Sequence, residues 1–164
     1  MAVNVDLKLN LTATETLAGA GVSGTVSVPQ TAFNHTTTLN SSSTPPATKS
    51  SYFAQALTAG AATVDLTSLP NISGTAAAVT FSGLKLQAII WYNPSTNAAM
   101  TIAKGGSNGY GLTSGGGTFT ISIPPGGRGI MFLDDEPPDV AGGAKNIDIT
   151  GTLTESLYLG LVAG

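Results

Sequence analysis

The run Phe81-Ser82-Gly83-Leu84-Lys85-Leu86-Gln87-Ala88-Ile89-Ile90-Trp91-Tyr92-Asn93-Pro94 decides how the rest of the chain is read. It is the longest apolar-rich stretch, and it holds the only Trp. Leu84, Leu86, Ala88 and Ile90 form one wholly apolar face. Lys85, Gln87, Ile89 and Trp91 form a second face that begins polar and turns apolar. This period of two predicts a β-strand whose Trp91 end is covered on both sides. Asn93-Pro94-Ser95-Thr96-Asn97 reads as a turn, and Ala98 to Ala103 as the returning strand. The pattern therefore predicts a hairpin in the middle of a sheet.

The same alternation recurs on either side. Val3, Val5, Leu7, Leu9 and Leu11 alternate with Asn4, Asp6, Lys8 and Asn10, the cleanest strand signal in the chain. Residues 1–11 read as an edge strand or an assembly arm, with those five apolar residues as its contact face. Thr12 to Gly21 reads as loop or continued strand, with one short helical turn over Ala13-Thr14-Glu15-Thr16-Leu17-Ala18 as the alternative. Gly24 to Pro29 reads as a strand stopped by its proline, and Phe33 to Leu39 as another. Residues 41–51 form a polar, Pro-containing loop, a second segment placed to reach a neighbour. Further strands are expected over Tyr52–Thr58, Ala62–Leu66, Thr118–Ile123, Gly129–Leu133, Ile147–Leu153 and Ser156–Val162.

About ten short strands at this spacing, with no amphipathic helix, predict an all-β fold. The expected architecture is an antiparallel two-sheet β-sandwich of jelly-roll kind, with a partly open barrel as the alternative. At 164 residues the chain fits one domain, 1–164.

Composition narrows the function. No cysteine is present, which excludes disulfides, thiolate metal sites and cysteine catalysis. Charged residues make up 9% of the chain, against about 25% in ordinary soluble domains. So few charges protect a lone molecule poorly against self-association. The composition thus points to a subunit of a homo-oligomeric assembly, with a free β-domain of Ser/Thr surface as the alternative. A net charge of −3 and scattered cations (Lys8, Lys49, Lys85, Lys104, Arg128, Lys145) leave no footprint for direct nucleic-acid binding. Met1 to Asp6 lacks a basic leader and an apolar core, and no stretch is long and apolar enough to span a membrane. The expectation is a protein made in the cytoplasm with no membrane partner.

Candidate chemistry is sparse. Gly19-Ala20-Gly21-Val22-Ser23-Gly24 matches a dinucleotide fingerprint, but a β-type run follows where a helix is required. Asp134, Asp135, Glu136 and Asp139 supply oxygen ligands without EF-hand spacing, and Pro137-Pro138 stiffens them. They read as a solvated or subunit-contacting loop. His35 is the single histidine, and no G-x-S-x-G elbow exists. No nucleophile–base pair can be assembled, so the chain is expected to be no enzyme and to need no cofactor or metal. Trp91 and Tyr92, with Tyr110 and Asn108, are the candidate contacts for a sugar or receptor. The alternative for Trp91, which its place in the most apolar strand favours, is a plug at the end of the core.

Several segments resemble small all-β virion proteins of tailed bacteriophages. They are Asp65-Leu66-Thr67-Ser68-Leu69-Pro70, Phe81 to Gln87, Thr101 to Tyr110 and Ile147-Asp148-Ile149-Thr150-Gly151-Thr152. The likeness spans about residues 55 to 164. It implies a head-associated or decoration protein with β-sandwich subunits on a capsid, partnered by other capsid proteins, and carries no catalytic residues. The sequence reading is thus a non-enzymatic structural protein of a virus particle, located in the virion. The alternative is a carbohydrate- or receptor-binding β-sandwich module.

Overall fold

Alternating apolar positions build ten strands, and no helix occurs among the described residues. The computed structural model describes residues 3–17, 26–70, 78–133 and 135–164, with the backbone alone over 11–17 and 26–33. The strands are β1 (Val5–Leu17), β2 (Val26–Leu39), β3 (Lys49–Ala56), β4 (Ala61–Asp65) and β5 (Leu86–Tyr92), then β6 (Met100–Lys104), β7 (Thr120–Ile123), β8 (Arg128–Phe132), β9 (Asn146–Thr150) and β10 (Ser156–Ala163).

Eight strands form two antiparallel sheets, ordered β3-β10-β5-β8 and β4-β9-β6-β7, the two halves of a β-sandwich. Their pairing is nested. The first of the eight pairs with the last (β3 with β10), then β4 with β9, β5 with β8, and β6 with β7. Only β6 and β7 are therefore consecutive partners. Every other connection in the sandwich crosses from one sheet to the other.

This corrects the expected central hairpin. The Asn93–Asn97 turn exists, but it carries the chain from β5 in one sheet to β6 in the other. Turn residues specify that the chain reverses, not which sheet the next strand joins. Fully buried Asn93 holds the crossing. Its Nδ2 donates to the Ala98 carbonyl at 2.9 Å and the Pro124 carbonyl at 3.1 Å, and its Oδ1 accepts from Asn97 at 3.0 Å. One side chain thus ties the β5–β6 turn to the β7–β8 turn.

The main core lies between the sheets. Phe53, Ile89, Leu157, Leu159 and Leu161 of the first sheet share it with Val64, Met100, Ile102, Ile123, Ile147 and Ile149 of the second. Each such side chain contributes about 1.5–3 kcal/mol on burial. Leu66, Leu69, Phe81, Tyr110, Leu112 and Val140, from the connections, join the same cluster.

β1 and β2 pair with each other as a ribbon, in register from Val5↔Leu39 to Leu17↔Val26, with an irregularity between Leu11 and Ala13. The strand signal read over Val3–Leu11 therefore continues to Leu17. The proline stop is also corrected: β2 runs through Pro29, which sits opposite Thr14. In a two-stranded ribbon each strand is an edge, where a proline can face its missing N–H away from the partner.

The ribbon's base rests on the outer face of the first sheet. Leu7 and Leu39 bury against Ala88 and Val162, with Val3, Val5, Ile90 and Ile130 packed around them. This reverses the expected burial of β5. Leu86, Gln87, Ala88 and Ile89 are all buried, Trp91 is half-buried, and Tyr92 is exposed. The end covered on both sides is the Leu86 end, because the ribbon covers it there. The 41–51 loop is likewise fastened rather than reaching outward. Ala47 is buried, its N–H and that of Ser43 bond to the Asn40 carbonyl, and Thr48 bonds to the Ala163 carbonyl. The last residues of that segment, from Lys49, are already β3.

Candidate functional site

The outer faces of the two sheets differ in chemistry. The exposed positions of the second sheet include Thr63, Thr120, Ser122 and Thr150, small and polar. The first sheet instead carries a row of large side chains across all four strands. Tyr158 of β10 pairs directly with Tyr92 of β5, and Tyr92 with Arg128 of β8. Tyr52 of β3 stands diagonally beside Tyr158, since its own ladder partner is Gly160. The Tyr52 and Tyr158 rings lie 6.4 Å apart at 23°, and the Tyr92 and Tyr158 rings 5.9 Å apart at 33°. The Arg128 guanidinium lies 5.4 Å from the Tyr92 ring centre, within cation–π range. Tyr52 is 58% exposed and Tyr92 39%. Three of the chain's four tyrosines stand in this row.

A cleft of about 630 Å³ opens beside the row, with Lys8 and Leu9 of the ribbon on one side and Ile90, Tyr92, Arg128 and Ile130 on the other. A smaller one of about 230 Å³ lies between Leu9, His35 and Thr37 of the ribbon and Ile130 and Phe132 of the edge strand β8. Leu9 is 50% exposed and Phe132 44%. Ribbon and sheet thus leave an apolar gap that neither fills.

The sequence-based site residues separate. Tyr92 belongs to the row. Trp91, its chain neighbour, points to the opposite face and packs against the main core. Its ring lies over Gly129, where an added Cβ would stand 2.4 Å from Cζ2. Tyr110 is fully buried at the far end of β5. Its hydroxyl accepts from the Leu86 N–H at 3.0 Å and donates to the Pro138 carbonyl at 2.7 Å. Leu86 and Tyr92 are the two ends of β5, about 20 Å apart at strand rise. Burial pushes the Tyr110 phenol up to about 12, against the pull of the Leu86 hydrogen bond and with help from the charge of Asp139. Asn108 holds the loop instead, its carbonyl accepting the Lys145 and Asn146 N–H groups. Of the candidate assembly arm, Val3, Val5 and Leu7 pack on their own sandwich, Leu9 is exposed, and the Leu11 side chain lies outside the described residues.

Tyr52 and Tyr158 were missed from the sequence, although a signal existed. Each occupies the wet phase of an alternating strand, beside inward Phe53 and inward Leu157 and Leu159. A ring in the solvent phase is the observation to look for.

Of the remaining candidates, those among the described residues take ordinary structural contacts. Gly19–Gly24 lies outside the described residues except that strand β2 follows it at Val26. Exposed His35 shares a hydrogen bond with the Thr37 hydroxyl. Asp135 pairs with Lys85 at 2.7 Å, and that hydrogen bond raises the Lys85 pKa. Asp134 is outside the described residues, and among the others no three His, Asp or Glu side chains gather as a metal site. No protein family, curated protein or solved structure compared with this chain matches it.

Proposed function

We propose that this protein is a non-enzymatic structural subunit of a virus particle, capsid-associated or decorating, that assembles as a homo-oligomer through its β1–β2 ribbon. The observation that carries the reading is the ribbon's exposure. Lys8, Leu9 and Asn10 of β1 and Asn34, His35 and Thr36 of β2 are all exposed, on both faces, just beyond the seated base. A two-stranded ribbon is marginally stable at best in water. Its 13 residues in β1 extend about 43 Å, longer than the roughly 26 Å of the longest strands beneath it. The register continues the apolar series beyond Leu9, pairing Leu11 with Phe33. A neighbouring subunit is the natural cover, through apolar burial and through the ribbon's outer edges, which pair with no other strand among the described residues.

Two further features support it. We read the nested strand order as a jelly roll, an architecture of viral capsid and lectin domains. The 9% charged composition suits a surface shared with neighbours. The bacteriophage resemblance adds the particle, and other capsid proteins as partners.

The test keeps the base and residues 8–11 and 33–36, and removes the ribbon beyond them. Residues 12–32 are replaced by Asn-Gly, joining Leu11 to its partner Phe33 through a two-residue turn. Light scattering should show a large or concentration-dependent mass for the full chain and about one-chain mass for the shortened protein, with both equally folded. Equal masses for the two would overturn the ribbon's role. A full chain that stays monomeric at all concentrations would overturn self-assembly.

A further inference from the structure

We propose that the tyrosine row and the cleft beside it form a binding site for an acidic polysaccharide, one built of sugars that carry carboxylates. The site borders the ribbon at Lys8 and Leu9 but is argued from the tyrosine row, and it does not rest on the assembly reading.

Three observations converge. The first is the concentration of rings. Aromatic residues are 6% of the chain, yet Tyr52, Tyr158 and Tyr92 align across three adjacent strands while the other outer face is Thr- and Ser-rich. A pyranose has an apolar C–H face and a rim of hydroxyls. An exposed tyrosine matches both, with an apolar ring and a hydroxyl that donates and accepts. The second is charge. None of the outward positions of β3, β10, β5 and β8 is Asp or Glu, although the chain carries nine acids. Lys8 and Arg128 both border the cleft, and neither forms an ion pair among the described residues. Arg128 ends the row, where its planar fork can take a carboxylate in two hydrogen bonds. The third is room. The cleft runs from Tyr92 under Lys8 and Leu9, so a chain stacked along the row can continue into it.

Single-stranded nucleic acid also stacks on rings, but it needs a basic groove that follows successive phosphates. Two cations on a chain of net charge −3 do not make one. An acidic glycan asks for fewer cations, spaced among hydroxyl contacts.

The full chain is titrated calorimetrically with polygalacturonate and with polysialic acid. Fully methyl-esterified polygalacturonate, dextran and oligothymidylate serve as comparisons. At least one acidic polymer should bind, at least tenfold more tightly than the esterified polymer, and more weakly as salt is added. Tyr158→Ala and Arg128→Gln should each lower the affinity tenfold or more. Tyr52→Ala, at the most exposed ring, should do so with an unchanged melting temperature, which separates binding from folding. Oligomer mass should stay unchanged in all three variants, keeping this outcome apart from that of the ribbon. Absence of binding by both acidic polymers would overturn the site. Equal affinity for the esterified polymer, or wild-type affinity in Tyr52→Ala and Arg128→Gln, would do the same. Tighter binding of oligothymidylate would replace the sugar with a nucleic acid.

Discussion

The Tyr110 hydroxyl accepts the backbone N–H of Leu86 at 3.0 Å, fastening a glycine-rich loop to the first residue of the central strand β5. The same hydroxyl donates to the Pro138 carbonyl, so one buried atom joins three segments far apart in sequence. Burial raises this phenol to about 12, whereas an unfolded tyrosine titrates near pH 10. The folded state therefore holds its proton more tightly than the unfolded one. The contribution is complete below about pH 10 and is lost as pH rises toward the folded value. Tyr110→Phe should cost about 1–3 kcal/mol at neutral pH, since it leaves the Leu86 N–H and the Pro138 carbonyl without this partner. Between pH 10 and 12 the difference from wild type should shrink by on the order of 2 kcal/mol. Denaturant melts of both proteins across that range measure it. A pH-independent difference would show that Tyr110 is not the titrating group.

Trp91 and Gly129 are ladder partners, and the indole lies where a β-carbon of residue 129 would be. Gly129→Ala should force the indole off its seat and cost about 1–3 kcal/mol as overpacking. Because Trp91 is the only Trp, its fluorescence reports the displacement directly. The emission maximum should shift red in the variant and remain unchanged in Gly142→Ala, a glycine with no atom within 4 Å of an added Cβ.

The pair Trp91 and Tyr92 also shows what was legible in the sequence. Strand alternation placed the two on opposite faces, and the inward one plugs the core as the alternative reading held. Alternation cannot say which outward face a ribbon will cover. Leu86 to Ile89 are buried on both sides because Leu7 and Leu39 arrive from strands about fifty to eighty residues away in sequence. The all-β sandwich was readable because period-two patterning is local. The crossing of Asn93–Asn97 between sheets was not, because nested pairing joins strands that local pattern leaves equivalent. The tyrosine row escaped for the same reason. Tyr52, Tyr92 and Tyr158 are brought together only by the β3-β10-β5 order.

Asp65 and Lys145 form an ion pair at 2.6 Å between the end of β4 and the residue before β9. Burial alone would raise the Asp65 pKa. The hydrogen bond from Lys145 and those from the Thr67 hydroxyl and N–H outweigh it, and the value is lowered. A depressed carboxyl stabilises the fold above its unfolded value, about pH 4, and the contribution is lost as pH falls through the folded value. Both side chains are partly exposed, so screening holds the effect to about 1 kcal/mol or less. Asp65→Asn should be slightly destabilised at pH 7, and its stability curve should converge on the wild type below pH 4. Divergence on acidification would contradict the assignment.

Leu7 and Leu9 stand two positions apart on one strand, in the same phase, and differ in what covers them. Leu7 is 7% exposed beneath the ribbon's base, whereas Leu9 is 50% exposed at the mouth of the cleft. Truncation should therefore separate folding from assembly. Leu7→Ala removes buried apolar volume and should cost about 2–3 kcal/mol, visible as a lower melting temperature. Leu9→Asn exposes nothing new within the chain and should leave stability within about 0.5 kcal/mol. If a second subunit covers the ribbon, the same Leu9→Asn change buries an amide at the contact and should weaken association at least tenfold. Sedimentation over a concentration series, beside thermal melts of both variants, tests the contrast. Loss of stability in Leu9→Asn without a change in association would mean that Leu9 serves the chain's own fold, and the assembly face would have to lie elsewhere on the ribbon.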